Sequence, residues 1–265
     1  MLIAADNLTA SRPLVRRALE QGDAQAIARV CREAAAAGAH WLDLNPGYLP
    51  PRRREETWRF LVTAAEAASD LTLMLDAPDP ASLELALGFC TRPPVLNMAT
   101  AAPERLGPVL DIAAAHDLTV IAATMTNNAP ADLDERLSLA ALIVAEAQAR
   151  GIVGRRLVLD PMVLPLALPG GETQAWAVLQ ALRAIPQIFD PPPLTLVSIS
   201  NLVTASAGAR TGFAAAPFLA AAFGAGLGVA LMDAANPQLK QTARLCSVLS
   251  GQRVFAPAEY TDDQP

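Results

Sequence analysis

Thr72-Leu73-Met74-Leu75-Asp76-Ala77-Pro78-Asp79-Pro80 is the stretch that decides how the rest of the chain is read. Its first four residues are a short apolar run without helical spacing, Asp76 ends that run, and Asp79 ahead of Pro80 is a capping residue followed by a favoured first helical residue. A strand that hands over to a helix this quickly is half of a βα unit, the building block of parallel sheets. Working outward, the same unit recurs to both ends of the chain. The strand candidates are 2–5, 41–44, 72–75, 95–96, 119–122, 157–159, 195–197 and 229–232. Ala-rich segments of helical periodicity lie between them, at 23–37, 55–68, 80–89, 103–116, 133–150, 173–185, 215–223 and 237–250. Gly38 and Gly151 stand where helices should stop, and 190–193 reads as a turn into the seventh strand. Consecutive βα units with no compositional break predict a single (β/α)8 TIM barrel, since open doubly wound sheets usually have fewer strands and a reversal of strand order. One domain is expected over residues 1–265, with a polar tail from about residue 256.

Composition agrees with a large core. Hydrophobic residues make up 52% of the 265 residues and charged ones 17%, and the mean hydropathy is +0.30. The weakly polar run 218–233 is too short to cross a bilayer, and the N-terminus has no basic head or cleavage site, so a cytoplasmic protein is expected. A formal charge of −6 argues against a nucleic-acid partner, because it would repel a phosphate backbone. Arg52, Arg53 and Arg54 cluster at a helix start, where cations oppose the macrodipole. They read first as a solvated helix end and second as a hold for an anionic ligand tail or an acidic partner. Cys31, Cys90 and Cys246 are far apart and read as reduced, buried fillers. His40 and His116 have no second ligand at metal spacing, so no metal is expected to be bound by this chain.

In a barrel of this kind the site forms at the C-terminal ends of the strands. Polar residues stand there in series: Asp6 and Asn7, Asp43 and Asn45, Asp76, Asn97, Thr124 and Thr126, Asp160, Ser200 and Asn201, and Asp233. Any one of them alone is adequately explained as a cap or a turn residue. Capping does not explain why Asp76, Asn97, Asp160 and Asn201 should all project toward one opening. Carboxylates accept from ring N–H and amino groups and carboxamides do both, so the series suits a flat, neutral, donor-rich heterocycle such as a pterin. Lys240 is the sole lysine and falls in the last helix, which excludes a Schiff-base lysine at a strand end. There is no phosphate-cradling GxxxxGK[ST] loop, and no GxGxxG follows the first strand.

Met1-Leu2-Ile3, Leu42-Asp43-Leu44-Asn45, Leu73-Met74-Leu75-Asp76, Leu96-Asn97, Thr124-Met125, Leu159-Asp160-Pro161 with Leu164-Pro165, and Ser198-Ile199-Ser200-Asn201 form an ordered set. In order and spacing it resembles the methyltetrahydrofolate:corrinoid protein methyltransferases, which are pterin-binding barrels like the dihydropteroate synthases. The resemblance runs from Met1 to about Ser250. It implies that Asp76, Asn97 and Asp160 hold the pterin edge, with Asp43, Ser200 and Arg210 also in the binding set. Asn201 would lie beside N5, the nitrogen that bears the methyl group, as the catalytic residue. The implied substrate is methyltetrahydrofolate, and the implied methyl partner is a cobalamin (corrinoid) carried by a second protein. A homodimer joined through barrel helices is implied as well. The chain departs from the family at Asp6-Asn7-Leu8-Thr9, where Glu-Arg-Ile-Asn is usual, and at 202–211, where small residues replace an amide-rich loop. Two other readings stand beside this one: a dihydropteroate synthase-like enzyme, which would need Lys and Arg around a diphosphate leaving group, and a pterin-binding barrel without catalysis.

Overall fold

The computed structural model describes residues 1–130, 132–204 and 212–256. Its strands close into a parallel barrel in sequence order: β1 (Leu2–Thr9), β2 (Trp41–Asn45), β3 (Thr72–Asp76), β4 (Val95–Thr100), β5 (Thr119–Ala123), β6 (Leu157–Asp160), β7 (Leu194–Ser198) and β8 (Val229–Met232), with β8 pairing back onto β1. The surrounding helices are α1 (Pro13–Gln21), α2 (Ala24–Ala36), α3 (Pro51–Ala68), α4 (Pro80–Leu87), α5 (Pro103–Ala115), α6 (Leu133–Gln148), α7 (Gly171–Ile188), α8 (Ile199–Val203), α9 (Ala215–Gly224) and α10 (Pro237–Leu249). The (β/α)8 barrel read from the sequence is therefore the fold. Among the described residues no helix is long and apolar enough to cross a membrane.

Strand alternation divides the apolar residues between two layers. Leu73 and Leu75 of β3 face outward and pack with Trp58, Leu61, Val62 and Ala65, which recur at helical spacing along α3. Met74 faces inward, where it joins Ala4, Val95, Ile121, Val158, Leu196, Val229 and Leu231 in a plug that fills the lower barrel. Helix starts follow the capping signals: the Asp79 carboxylate accepts from the Ser82 N–H at 2.8 Å, Asp132 from Glu135 N–H at 2.9 Å, and Asn236 from Gln238 N–H at 3.0 Å.

The structure differs from the sequence reading in several places. β1 continues past Ala5 to Thr9, and β4 past Leu96 to Thr100, each across a register shift in its pairing with the next strand. Polar residues that seemed to end these strands are accommodated within them because the top of the barrel interior is polar. α1 fills the first βα connection, started by Pro13 and stopped by Gly22 in the left-handed conformation. α7 runs on through Pro186 to Ile188. Cys31 and Cys246 are buried in helices as expected, but Cys90 lies past the end of α4 and is half-buried. The polar tail beyond residue 256 falls outside the described residues.

Candidate active site

Two residues beyond the upper members of the plug and Trp41, which packs against it, the chain points again into the barrel. From Ala4, Trp41, Met74, Val95, Val158, Leu196 and Leu231 this step reaches Asp6, Asp43, Asp76, Asn97, Asp160, Ser198 and Asp233, while β5 supplies Ala123 above Ile121. The C-terminal end of the barrel is thus ringed by carboxylates and small polar groups above an apolar floor. Asp43, Asp76, Asn97 and Asp160 all belong to this ring, and Asp76 is the register partner of Asn97.

One side of the ring is held by amides. Asn45 donates from Nδ2 to Asp76 Oδ2 at 2.6 Å and accepts from the Gly47 N–H at 3.0 Å. Asn97 Nδ2 approaches Asp43 Oδ1 at 3.5 Å. Burial pushes Asp76 up to about 6, against the hydrogen bond from Asn45 and the charge of Arg105, which pull it down. Asp43 goes well above the ordinary carboxylate range, because it is buried and faces the like charges of Asp76 and Asp6. Asp160, also raised by burial, reaches about 7 despite accepting from the Met162 N–H at 2.8 Å and facing the Arg136 guanidinium.

The loops that carry these carboxylates are braced by two arginines the sequence reading did not single out. Arg105, in the first turn of α5, donates to Ala77 O and Met98 O at 2.8 Å each and also to Pro78 O. Arg136, in the first turn of α6, is wholly enclosed and donates to Pro161 O at 2.9 Å, Asp132 O at 3.0 Å and Met162 O at 3.4 Å, with a further bond to Gln174 Oε1. The available signal was a cation in the first turn of a helix, where the macrodipole disfavours it.

A second network joins the first, seventh and eighth strands. Ser200 Oγ donates to Asp6 Oδ2, while Asp6 Oδ1 is buried with the Arg12 guanidinium at 3.5 Å. Arg12 also pairs with Asp233 at 2.9 Å, and Asn7 donates to Asp233 at 2.6 Å and accepts from the Ala234 N–H at 2.9 Å. Burial alone would raise Asp233, but the bonds from Arg12 and Asn7 outweigh it and lower its pKa; for Asp6 burial wins and the pKa rises. Ser200 and Asn201 lie in the first turn of α8, directly after β7, with Asn201 half-buried. α8 is tied to the loop after β6 by the bond from Leu166 N to Leu202 O, 2.8 Å. Arg210 lies outside the described residues. Of the clustered arginines, Arg54 is engaged within the fold, through Leu49 O at 3.2 Å and Asp79 at 3.7 Å. Lys240 shares a cavity of about 200 Å³ with Met1, Ile3 and His40, at the end of the barrel opposite the carboxylate ring.

The family described as pterin binding enzyme matches residues 7–232. The chain belongs to that family. Among curated relatives of this pterin-binding barrel, the methylcorrinoid:tetrahydrofolate methyltransferase of Eubacterium limosum is 25% identical over 170 residues, 63% of this chain. The chain spans 62% of the length of that relative. Solved structures of similar fold include the 7,8-dihydropteroate synthase of Vibrio fischeri ES114, with a TM-score of 0.70 and 17% identity over 95% of this chain and 93% of that one. The Xanthomonas albilineans dihydropteroate synthase superposes with a TM-score of 0.66 and 16% identity over 96% and 94% of the two chains. At these identities the structural neighbours establish the barrel alone.

Proposed function

We propose that this pterin-binding barrel is a methyltransferase that moves the N5 methyl group between methyltetrahydrofolate and the cobalt of a corrinoid carried on a partner protein. The observation that carries the proposal is the ring itself: Asp76, Asn97 and Asp160 on inward-facing strand positions, over an apolar floor, with no lysine among them. In this reading Asp76 and Asp160 accept from the ring N–H and amino groups of the pterin, and Asn97 completes the edge. Asp43, Ser200 and Arg210 complete the proposed binding set.

Methyl on N5 is a poor electrophile until the nitrogen is protonated, because the leaving group would otherwise be an anion. Asn201 cannot supply that proton, but its side-chain carbonyl can accept a hydrogen bond from N5–H⁺ as charge develops. Such a bond is stronger in the transition state than in the ground state, and that difference lowers the barrier. The proton reaches the site through the carboxylates. Asp43 belongs to that relay, its pKa raised by burial and by the like charges of Asp76 and Asp6.

Support for the methyl chemistry comes from the Eubacterium limosum relative, and the absence of lysine from the ring disfavours a diphosphate-releasing synthase. The decisive test mixes protein, methyltetrahydrofolate and reduced cobalamin and follows loss of the Co(I) absorption band. Asn201→Ala should bind methyltetrahydrofolate within a few fold of wild type and transfer methyl about ten- to a thousandfold more slowly. Folate binding without any transfer by the wild type would favour a non-catalytic barrel.

A further inference from the structure

Arg105 and Arg136 come from different helices, yet they make the same attachment. Each donates to the carbonyls of the first and second residues after a ring carboxylate: Ala77 and Pro78 after Asp76, Pro161 and Met162 after Asp160. Neither placement favours the fold by itself. Both sit in the first turn of a helix, where the dipole disfavours a cation, and Arg136 has no exposed surface, so its charge has lost its water. Backbone bracing alone does not call for a full charge, whereas a buried carboxylate beside it does. We infer that Arg105 and Arg136 are positioning residues for the pterin-holding pair, each fixing the backbone behind its carboxylate and keeping a permanent positive charge next to it. This rests on the pterin reading given above.

The charge makes the role testable by pH. Asp76 faces Arg105 and Asp43, and accepts from Asn45; Asp160 faces Arg136. The arginines in turn face Asp79, for Arg105, and Asp132 and Glu135, for Arg136. Burial raises both ring carboxylates and the arginines oppose that rise, so removing an arginine raises its neighbour further. Affinity for a ligand that needs the ionised carboxylate is lost as pH falls through that value, and the midpoint of the loss therefore moves upward.

Methyltetrahydrofolate binding is measured by calorimetry from about pH 5.5 to about pH 9 on wild type, Arg105→Met, Arg136→Met and the two Lys variants. The Met variants, which keep bulk and lose charge, should each enlarge the fall in affinity between about pH 8.5 and about pH 5.5 by close to tenfold for every pH unit by which the neighbouring carboxylate is raised. The Lys variants should keep the wild-type midpoint while binding more weakly by a constant factor, since Lys keeps the charge but not the fork. Folded Met variants with the wild-type fall in affinity over that pH range, whatever their overall affinity, would overturn the inference. Should Arg136→Met not fold, the half-buried Arg105 decides the matter alone. A wild type that does not bind methyltetrahydrofolate at all would count instead against the proposed function.

Discussion

Asp160→Asn should make the protein more stable at neutral pH while weakening its hold on a pterin. The native carboxyl, driven by burial, keeps its proton up to about pH 7, whereas the unfolded one releases it at 3.8. Between those values the folded chain binds more protons, so stability falls as pH rises; the loss is complete above about pH 7 and vanishes below 3.8. The gap between the two values corresponds to about 4 kcal/mol. Asparagine removes the titration and keeps the oxygen that accepts from the Met162 N–H, and Arg136 still faces Asp132 and Glu135. Urea unfolding at about pH 8 should therefore find the variant more stable by about 2–4 kcal/mol, with the difference shrinking below about 1 kcal/mol near pH 4. A variant less stable than wild type at the higher pH, or a difference independent of pH, would refute the reasoning.

Binding itself should depend on pH. With Asp160 near 7 and Asp76 near 6, and both required ionised, methyltetrahydrofolate affinity should drop about 100-fold from about pH 7.5 to about pH 5.5, and a flat calorimetric profile would show that these carboxylates do not hold the ligand. Gly171→Ala would bring a methyl group within 2.6 Å of Pro165 O and 2.7 Å of Leu166 O, both backbone atoms. That strain should cost about 1–3 kcal/mol in urea unfolding, and stability equal to wild type would mean the loop after β6 yields freely.

Strand positions were legible because the apolar runs are short, bounded and repeated, and a parallel strand covered on both faces leaves that trace. The ring residues were legible for a related reason. An aspartate at the end of a run such as Thr72–Leu75 has no apolar purpose, and the alternation of the strand fixes which side it faces. What the sequence hid depends on contacts rather than on pattern. Asp6 and Asn97 look like strand ends, but they lie within β1 and β4, since the upper barrel interior accepts polar side chains. Arg105 and Arg136 recognise backbone carbonyls, which carry no residue identity and so leave no motif at the receiving end. Ser200 meets Asp6 across most of the chain's length, a pairing that only barrel closure creates.

The apolar plug beneath the ring has a kinetic consequence. Because Met74, Val95, Val158 and their neighbours fill the barrel beneath the ring, a ligand at the ring has to come from the C-terminal end of the strands. A small reactant must be seated before a bulky one covers the opening, and its spent form cannot leave until the cover lifts. For the proposed methyl transfer this predicts a compulsory order, with the corrinoid protein arriving second and departing first.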